Sequence, residues 1–496
     1  MTLQLRPYQQ RMIDDTREAM RKYRRVLLQA PTGAGKTAIT VYMMGMSAER
    51  GILSMFCVHQ NELLKQTSAA LWRQALSHGV IAAGRTKSHL PAQVASVQTL
   101  VRRMDDYAEP GLIIIDEAHR AAASTYLKIL ERYPGARVIG LTATPERTDG
   151  KGLGEIFDTI VLGPQIRELI DGGYLCDYEL MAPPALVDMG GVRRKMGDFD
   201  TEESEARVDK PTITGDAVDH YRKHASGKRC VVMCITRKHA QHVCDAYNAA
   251  GINAEFIHGE CADGERDGML KRFAAGETKV LCNVQLMIEG VDIPSIEVVQ
   301  WLRPTQSLIV WMQGNGRGLR PAQGKTALLI LDHVGNWNRP GFGMPDDARE
   351  WSLDGRKARG RKQETETFDI RQCPACYNVY RATLSACPKC NAAAQKSQRE
   401  IEIIAGELQR IETEKLRMQN RREMGKARTL EDLIAFGLRQ GMKRPAEWAA
   451  IRAAARLGKT PSAADFTEAK RIHAAILLGK KQELWDTEPK SPEETV

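Results

Sequence analysis

The chain of 496 residues, 43% hydrophobic and 27% charged, is long enough for several buried cores and is no small cross-linked scaffold; length alone suggests about three domains. A formal charge of +9 and a pI near 8.9 suit a polyanionic partner and equally an ordinary basic protein, so charge selects neither. The opening MTLQLRPYQQRMIDD lacks the basic-then-apolar layout of a secretory leader, and no run approaches the roughly 18 apolar residues of a membrane span, which predicts a cytoplasmic protein without a membrane partner.

From residue 11 to about 145, apolar strand-like runs alternate with helical stretches: VLLQA, a helix from Lys36, ILSMFCV, a helix from Asn61, then VASV, LIIID and RVIGLTA. Buried runs separated by helices predict a parallel sheet covered on both faces. Between about 228 and 332 the rhythm repeats in RCVVMCI, AEFIHG, KVLCNV, IEVVQWL and TALLILD, with helices from Lys238, Gly264 and Gln306. The predicted fold is therefore α/β with two tandem parallel-sheet lobes, at 1–180 and 213–340. The polar, glycine-punctuated stretch at 181–212 reads as a connector. After Asp332 the pattern stops, GRKARGRKQ suggests a basic linker over 341–370, and helical spacing returns as a tail over 396–485.

The first functional signal follows the first strand. In QAPTGAGKTA, a glycine-rich turn precedes a helix, where backbone N–H groups and the helix N-terminus suit phosphate oxygens. Thr32, Gly33, Ala34 and Gly35 would form the cradle, Lys36 would reach the β/γ-phosphates of ATP and Thr37 would hold Mg²⁺. The usual first glycine is here Ala30, and a phosphate loop alone names no function. The sequel LIIIDEAH puts Asp116 and Glu117 directly after a buried strand. A lone Asp-Glu pair is as readily an acidic helix cap. Beside a phosphate loop, Asp116 suits Mg²⁺ and Glu117 suits orientation and deprotonation of an attacking water.

PTGAGKT, DEAH, LTATPER, EGVDIP and QGNGRGLR, in that order over about residues 3–335, resemble the motifs of superfamily 2 DEAH-box helicases. LRPYQQ, LRPTQS, GKTALLILDHVGN and the downstream CPAC are most similar to RadD-type DNA repair helicases and related phage helicases. The resemblance implies two RecA-like lobes with ATP between them. It implies that Arg6 and Gln9 contact adenine, that Gly290 and Asp292 line the nucleotide site, and that His119, Thr142 and Thr144 couple hydrolysis to movement, although LTATP is also an ordinary strand end. Arg317 and Arg320, with Gln313 beside them, look like arginine fingers. Their spacing of three puts both guanidinium groups on one helix face, and charge supplied from the opposite lobe would tie hydrolysis to closure. By the same resemblance Gln98, Thr99, Thr236, Arg237 and His258 would touch a nucleic-acid backbone, each being in isolation an ordinary loop residue.

Cys373-Pro-Ala-Cys376 and Cys387-Pro-Lys-Cys390 form two CxxC knuckles, a spacing that suits a tetrahedral structural Zn²⁺; a disulfide pair suits a cytosolic chain less well, and a redox motif would want a βαβ context that this segment lacks. A zinc ribbon over 371–392 is expected, with Tyr377, Tyr380 and Arg381 exposed on it and the ATP site independent of it. The remaining seven cysteines sit singly, as reduced core thiols do. The whole predicts a monomeric ATP-dependent helicase or translocase acting on DNA. An RNA helicase, a duplex translocase and an ATP-switched binding scaffold remain open.

Overall fold

The computed structural model describes residues 3–147, 152–182, 187, 189–195, 198–284, 296–354, 370–394, 427, 429–439, 442, 444–457 and 459–486. Two compact units divide the chain, Met1–Ala394 and Gln395–Val496.

The first unit contains two large sheets. One is entirely parallel, built from β1 (Arg25–Gln29), β2 (Ser54–Val58), β3 (Gly79–Ile81), β4 (Ala92–Ser96), β5 (Leu112–Ile115), β6 (Arg137–Thr142) and β7 (Thr159–Leu162), in the order β3-β4-β2-β5-β6-β1-β7. The uninterrupted apolar runs of β2 and β5 are buried on both faces, which is why they do not alternate with polar residues. Helices Lys36–Glu49 and Asn61–Arg73 fill the crossovers.

The second sheet begins earlier in the chain than the sequence pattern suggests. Strand β8 (Asp177–Met181) pairs in parallel with β15 (Ala327–Asp332), so the expected lobe boundary at 180 falls inside a strand of the second lobe. The connector carries a short hairpin, β9 (Arg194–Lys195) with β10 (Asp198–Phe199), and helix Thr201–Val208. It is docked rather than free, because the Asp198 carboxylate accepts from Arg303, Thr305 and the Gln306 backbone. Strands β11 (Cys230–Met233), β12 (Ala254–Ile257), β13 (Val280–Asn283) and β14 (Val298–Trp301) complete the parallel part of the sheet, ordered β12-β13-β11-β14-β15-β8. Thr236 and Ser307 start the helices that follow, each side chain accepting from a backbone N–H three residues on. Trp301 and Trp311, both fully buried, lie 5.2 Å apart between sheet and helix. Such a pair adds roughly 0.5–1.5 kcal/mol beyond its area burial.

Beyond β8 the sheet turns antiparallel. β17 (Asn378–Arg381) pairs with β8, and β16 (Ile370–Gln372) pairs with β17, so the cysteine knuckles hang from the edge of the second lobe. The segment expected as the start of a linker, 341–354, is packed, with Phe342, Asp346, Asp347 and Arg349 all buried.

In the second unit, helices Leu430–Arg439, Pro445–Arg456 and Ala463–Asp486 surround Leu433, Ile434, Ala449, Ala450 and Ala469, and Phe436 stacks on Trp448 at 5.8 Å. The basic stretch GRKARGRKQ lies outside the described residues. Among those described, no helix is long and apolar enough to cross a membrane.

Candidate nucleotide site and metal centre

The turn after β1 rises to the helix N-terminus through Gly33 (φ 89°) and Gly35 (φ 82°), conformations that favour glycine. A Cβ on Gly35 would lie 2.4 Å from the Gln9 amide nitrogen. That closeness is functional packing: the Gln9 side chain donates to the Ala34 carbonyl at 2.9 Å, and Tyr8 donates to the same oxygen at 3.0 Å. Gln9 in turn accepts from the Arg6 N–H at 3.0 Å, and the Arg6 guanidinium lies over Tyr174 at 5.2 Å. Arg6 and Gln9 are thus tied to the phosphate loop itself.

Both lobes line one cavity of about 680 Å³. Thr32, Gly33, Gly35, Lys36, Thr37, Asp116 and Glu117 enter from the first lobe and Gln313, Arg317 and Arg320 from the second. Lys36 Nζ lies 3.7 Å from Glu117 Oε1, and Gln313 Nε2 donates across the cleft to Glu117 Oε2 at 3.2 Å. Helix Leu308–Gly318 approaches closely because it carries no Cβ at Gly316, where one would lie 2.4 Å from Thr32 Cβ.

The two carboxyls are pushed in opposite directions. Burial raises Asp116, reinforced by the neighbouring Glu117 charge and opposed by Lys36. Burial also works against ionised Glu117, but Lys36, His119 and Arg317 outweigh it and hold that carboxyl low. A low-lying carboxylate held at φ 47°, in a left-handed conformation a non-glycine residue rarely adopts, is stored strain of the kind found at functional sites. Among the described residues, buried Asp116 Oδ1 has no hydrogen-bond partner, as suits an oxygen kept for a cation. Asp116 with Thr37 fits Mg²⁺ on this observation.

His119 Nδ1 lies 3.3 Å from Glu117 and 3.4 Å from the Thr142 hydroxyl, which donates to the Thr144 carbonyl at 2.9 Å. Thr142 also supplies the carbonyl for the Ala30 N–H at 2.8 Å. His119, Thr142 and Thr144 therefore join the acidic pair to the phosphate loop. Gly290 and Asp292 lie outside the described residues.

The residues expected on the nucleic-acid path do not converge in this way. Gln98 is exposed and bonded to Ser96 and to His59, with Thr99 half-buried beside it. Thr236 caps its helix and donates to Glu205 at 2.8 Å, and Arg237 pairs with Glu260 at 2.6 Å. His258 packs on Phe256 at 5.0 Å, with a buried Nδ1 that has no partner among the described residues.

The four knuckle cysteines do converge. Their sulfurs all lie within 4.8 Å of one another, with Cys373–Cys390 and Cys376–Cys387 both at 3.6 Å. Thiolates about 2.3 Å from a tetrahedral zinc would lie about 3.8 Å apart, so the donor set fits such an ion. Each knuckle turns through a left-handed residue four positions after its first cysteine, Tyr377 (φ 59°) and Asn391 (φ 57°). Of the expected exposed face, Tyr380 is instead buried against Cys373 and Cys387, whereas Arg381 is exposed and pairs with Asp346 and Asp347. Tyr377 alone of the three is an exposed aromatic. Sequence reasoning missed this acid pair, since charged residues in a glycine- and proline-rich stretch read as solvated.

Two parallel α/β sheets sharing a nucleotide-sized cavity, with a phosphate loop on one and an arginine-bearing helix on the other, define a two-lobed motor ATPase. Residues 2–147 match the family "Type III restriction enzyme, res subunit" and 211–322 match "Helicase conserved C-terminal domain". A 51.5 kDa protein of a Lactococcus phage (isolate 7-9) is 30% identical over 397 residues, 79% of this chain and 84% of that protein. The candidate ATP-dependent helicase IRC3 of Saccharomyces cerevisiae is 30% identical over 354 residues, 67% of this chain and 51% of that protein, so the chain spans about half of this longer relative. In fold the chain is similar to a fragment of a candidate HsdR subunit of a type I restriction enzyme from Vibrio vulnificus YJ016, at TM-score 0.56 and 23% identity over 68% of this chain and 65% of that one. The chain belongs to the superfamily 2 helicases and is a nucleic-acid-dependent ATPase. Its helicase domains imply ATP and Mg²⁺.

Proposed function

We propose that the protein is an ATP-driven DNA helicase or translocase of replication, recombination or repair that works as a monomer in the cytoplasm. The observation that carries the reading is the hydrogen bond from Gln313 to Glu117, because it ties the carboxylate most suited to activate water to the opposite lobe. Lys36 and the backbone of the loop would bind the β/γ-phosphates. Glu117, held ionised, would take the proton of the attacking water, and Arg317 and Arg320 would neutralise charge developing on the γ-phosphoryl group. Mg²⁺, held by Thr37 and Asp116, would supply further neutralisation of phosphate charge. Opening after hydrolysis would move the lobes relative to a strand contacted by Gln98, Thr99, Thr236, Arg237 and His258. The cysteine cluster would hold one structural Zn²⁺ in a closed site. DNA is favoured over RNA by the restriction-enzyme family description.

ATP turnover against single-stranded DNA, duplex, forked DNA and RNA tests the assignment. Stimulation by DNA with strand displacement supports it; stimulation by RNA alone identifies an RNA helicase. Triplex displacement without unwinding identifies a duplex translocase, and turnover without any displacement a switched scaffold.

A further inference from the structure

After β15 the chain folds back as a strap, 339–354, that touches three parts of the first unit. At its centre are Asp346 and Asp347, whose side chains are 4% and 1% exposed. Asp346 accepts from the Tyr178 hydroxyl on β8 and pairs with Arg167 at 3.4 Å. Arg381, at the end of β17 and between the two cysteine knuckles, bridges both acids: one nitrogen lies 2.7 Å from Asp347, the other 3.3 Å from Asp346.

The strap then passes beneath the phosphate loop. Arg349 is buried, donates to the Asp347 carbonyl at 2.8 Å and to the Phe342 carbonyl, and its own carbonyl accepts from Gln165. Pro345, Arg349 and Trp351 face Gln29, Pro31 and Thr32 across a narrow gap. The strap ends in the first lobe, where the Leu353 carbonyl accepts from Leu153 at 2.8 Å and from Gly154 at 3.0 Å. Polar contacts centred on the buried Asp346, Asp347 and Arg349 thus link the half-exposed Arg381 of the cysteine hairpin to a strap that faces the start of the phosphate loop across that gap.

We propose that Arg381 is a positioning residue for ATP turnover: by clamping Asp346 and Asp347 it fixes the strap under the phosphate loop, so that the folded cysteine hairpin supports the ATP site. This rests on the reading of the shared cavity as the ATP site. A guanidinium fork suits the role because it meets two carboxylates at once, which an ammonium at the same place does less well. Removing the fork leaves two buried carboxylates with less compensation, and the strap beside them is what can move. Tight turnover geometry is sensitive to such movement, since displacement of about 1 Å can cost about 10²-fold in rate without contact with the chemistry. The proposal runs counter to the expectation that the hairpin is independent of ATP hydrolysis, and the experiment below decides between them.

The test compares the full chain with Arg381→Ala, Arg381→Lys and Asp347→Asn. Bound metal, ATP affinity, kcat and KM are measured for each, along with backbone hydrogen exchange over 29–38 and 345–354. Arg381→Ala is expected to keep its metal and its ATP affinity, to lose about 10- to 100-fold in kcat, and to exchange faster in both segments. Arg381→Lys should recover part of the loss, and Asp347→Asn should shift both readouts in the same direction by less. Unchanged kcat and exchange in Arg381→Ala overturn the proposal. Loss of metal from that variant overturns it too, by making Arg381 a builder of the hairpin only. A parent protein without turnover on any nucleic acid would indict the ATPase reading, while the exchange comparison would still decide the role of Arg381.

Discussion

The nucleotide cavity and the expected nucleic-acid path are built on opposite principles. In the cavity, Lys36 and Gln313, far apart in sequence, come within 4 Å of Glu117, as does the nearby His119; Gln313 and His119 are buried and Lys36 and Glu117 half-buried. Along the path, Gln98 and Arg237 are exposed and rest on local partners that a phosphate could replace. Charge developing in a transition state needs fixed, convergent groups. Holding a backbone that must later be released needs exposed, exchangeable contacts, each worth little alone. Substitutions in the two regions should therefore differ in size and in kind.

The largest effect is expected where the lobes meet over the γ-phosphate. Arg317→Ala or Arg320→Ala should lower stimulated turnover by about 10³- to 10⁵-fold while ATP affinity changes little, because the contact is made in the transition state. Steady-state turnover beside nucleotide titration checks this, and equal losses in both would make the contact a ground-state one. Glu117→Gln should cost about 10²- to 10⁴-fold in turnover and retain ATP binding; phosphate release at the parent rate would remove Glu117 from the role of base. Gly316→Ala sharpens the comparison without touching a charged group. Its new methyl would press on Thr32, so closure should weaken and stimulated turnover fall while both lobes stay folded, visible as an unchanged melting curve. Smallest are Gln98→Ala and Arg237→Ala, each expected to weaken single-stranded DNA binding by a few-fold. Arg237→Ala should also reduce the log–log salt slope by about 0.7 if one phosphate contact is lost. An unchanged slope would place Arg237 off the path.

How much of this was legible follows from the same physics. The central strands were readable because β2, β5, β11 and β15 are buried on both faces and so nearly continuous in apolar residues. The edge strand β7 and the interior strand β8 were missed, since TIVL is half-exposed and DYELM alternates with charge. The cavity residues were legible as motifs because phosphate and cation chemistry fixes residue type and spacing. What no motif encodes is where a charged residue is buried: Asp346 and Asp347 read as linker, and only the fold brings Arg381, Arg167 and Tyr178 to them. Tyr380 was expected outside for the same reason, since its burial depends on sulfurs brought together from both knuckles.

The central claim is that the water-activating carboxylate works when the second lobe is against it, and Gln313 is the direct contact. ATP turnover of the parent and of Gln313→Ala, each with and without single-stranded DNA, measures this most directly. Strong stimulation of the parent is expected, with loss of most of that stimulation in Gln313→Ala at equal ATP affinity and equal unstimulated rate. Full stimulation of Gln313→Ala, or a parent rate indifferent to every nucleic acid, would contradict it.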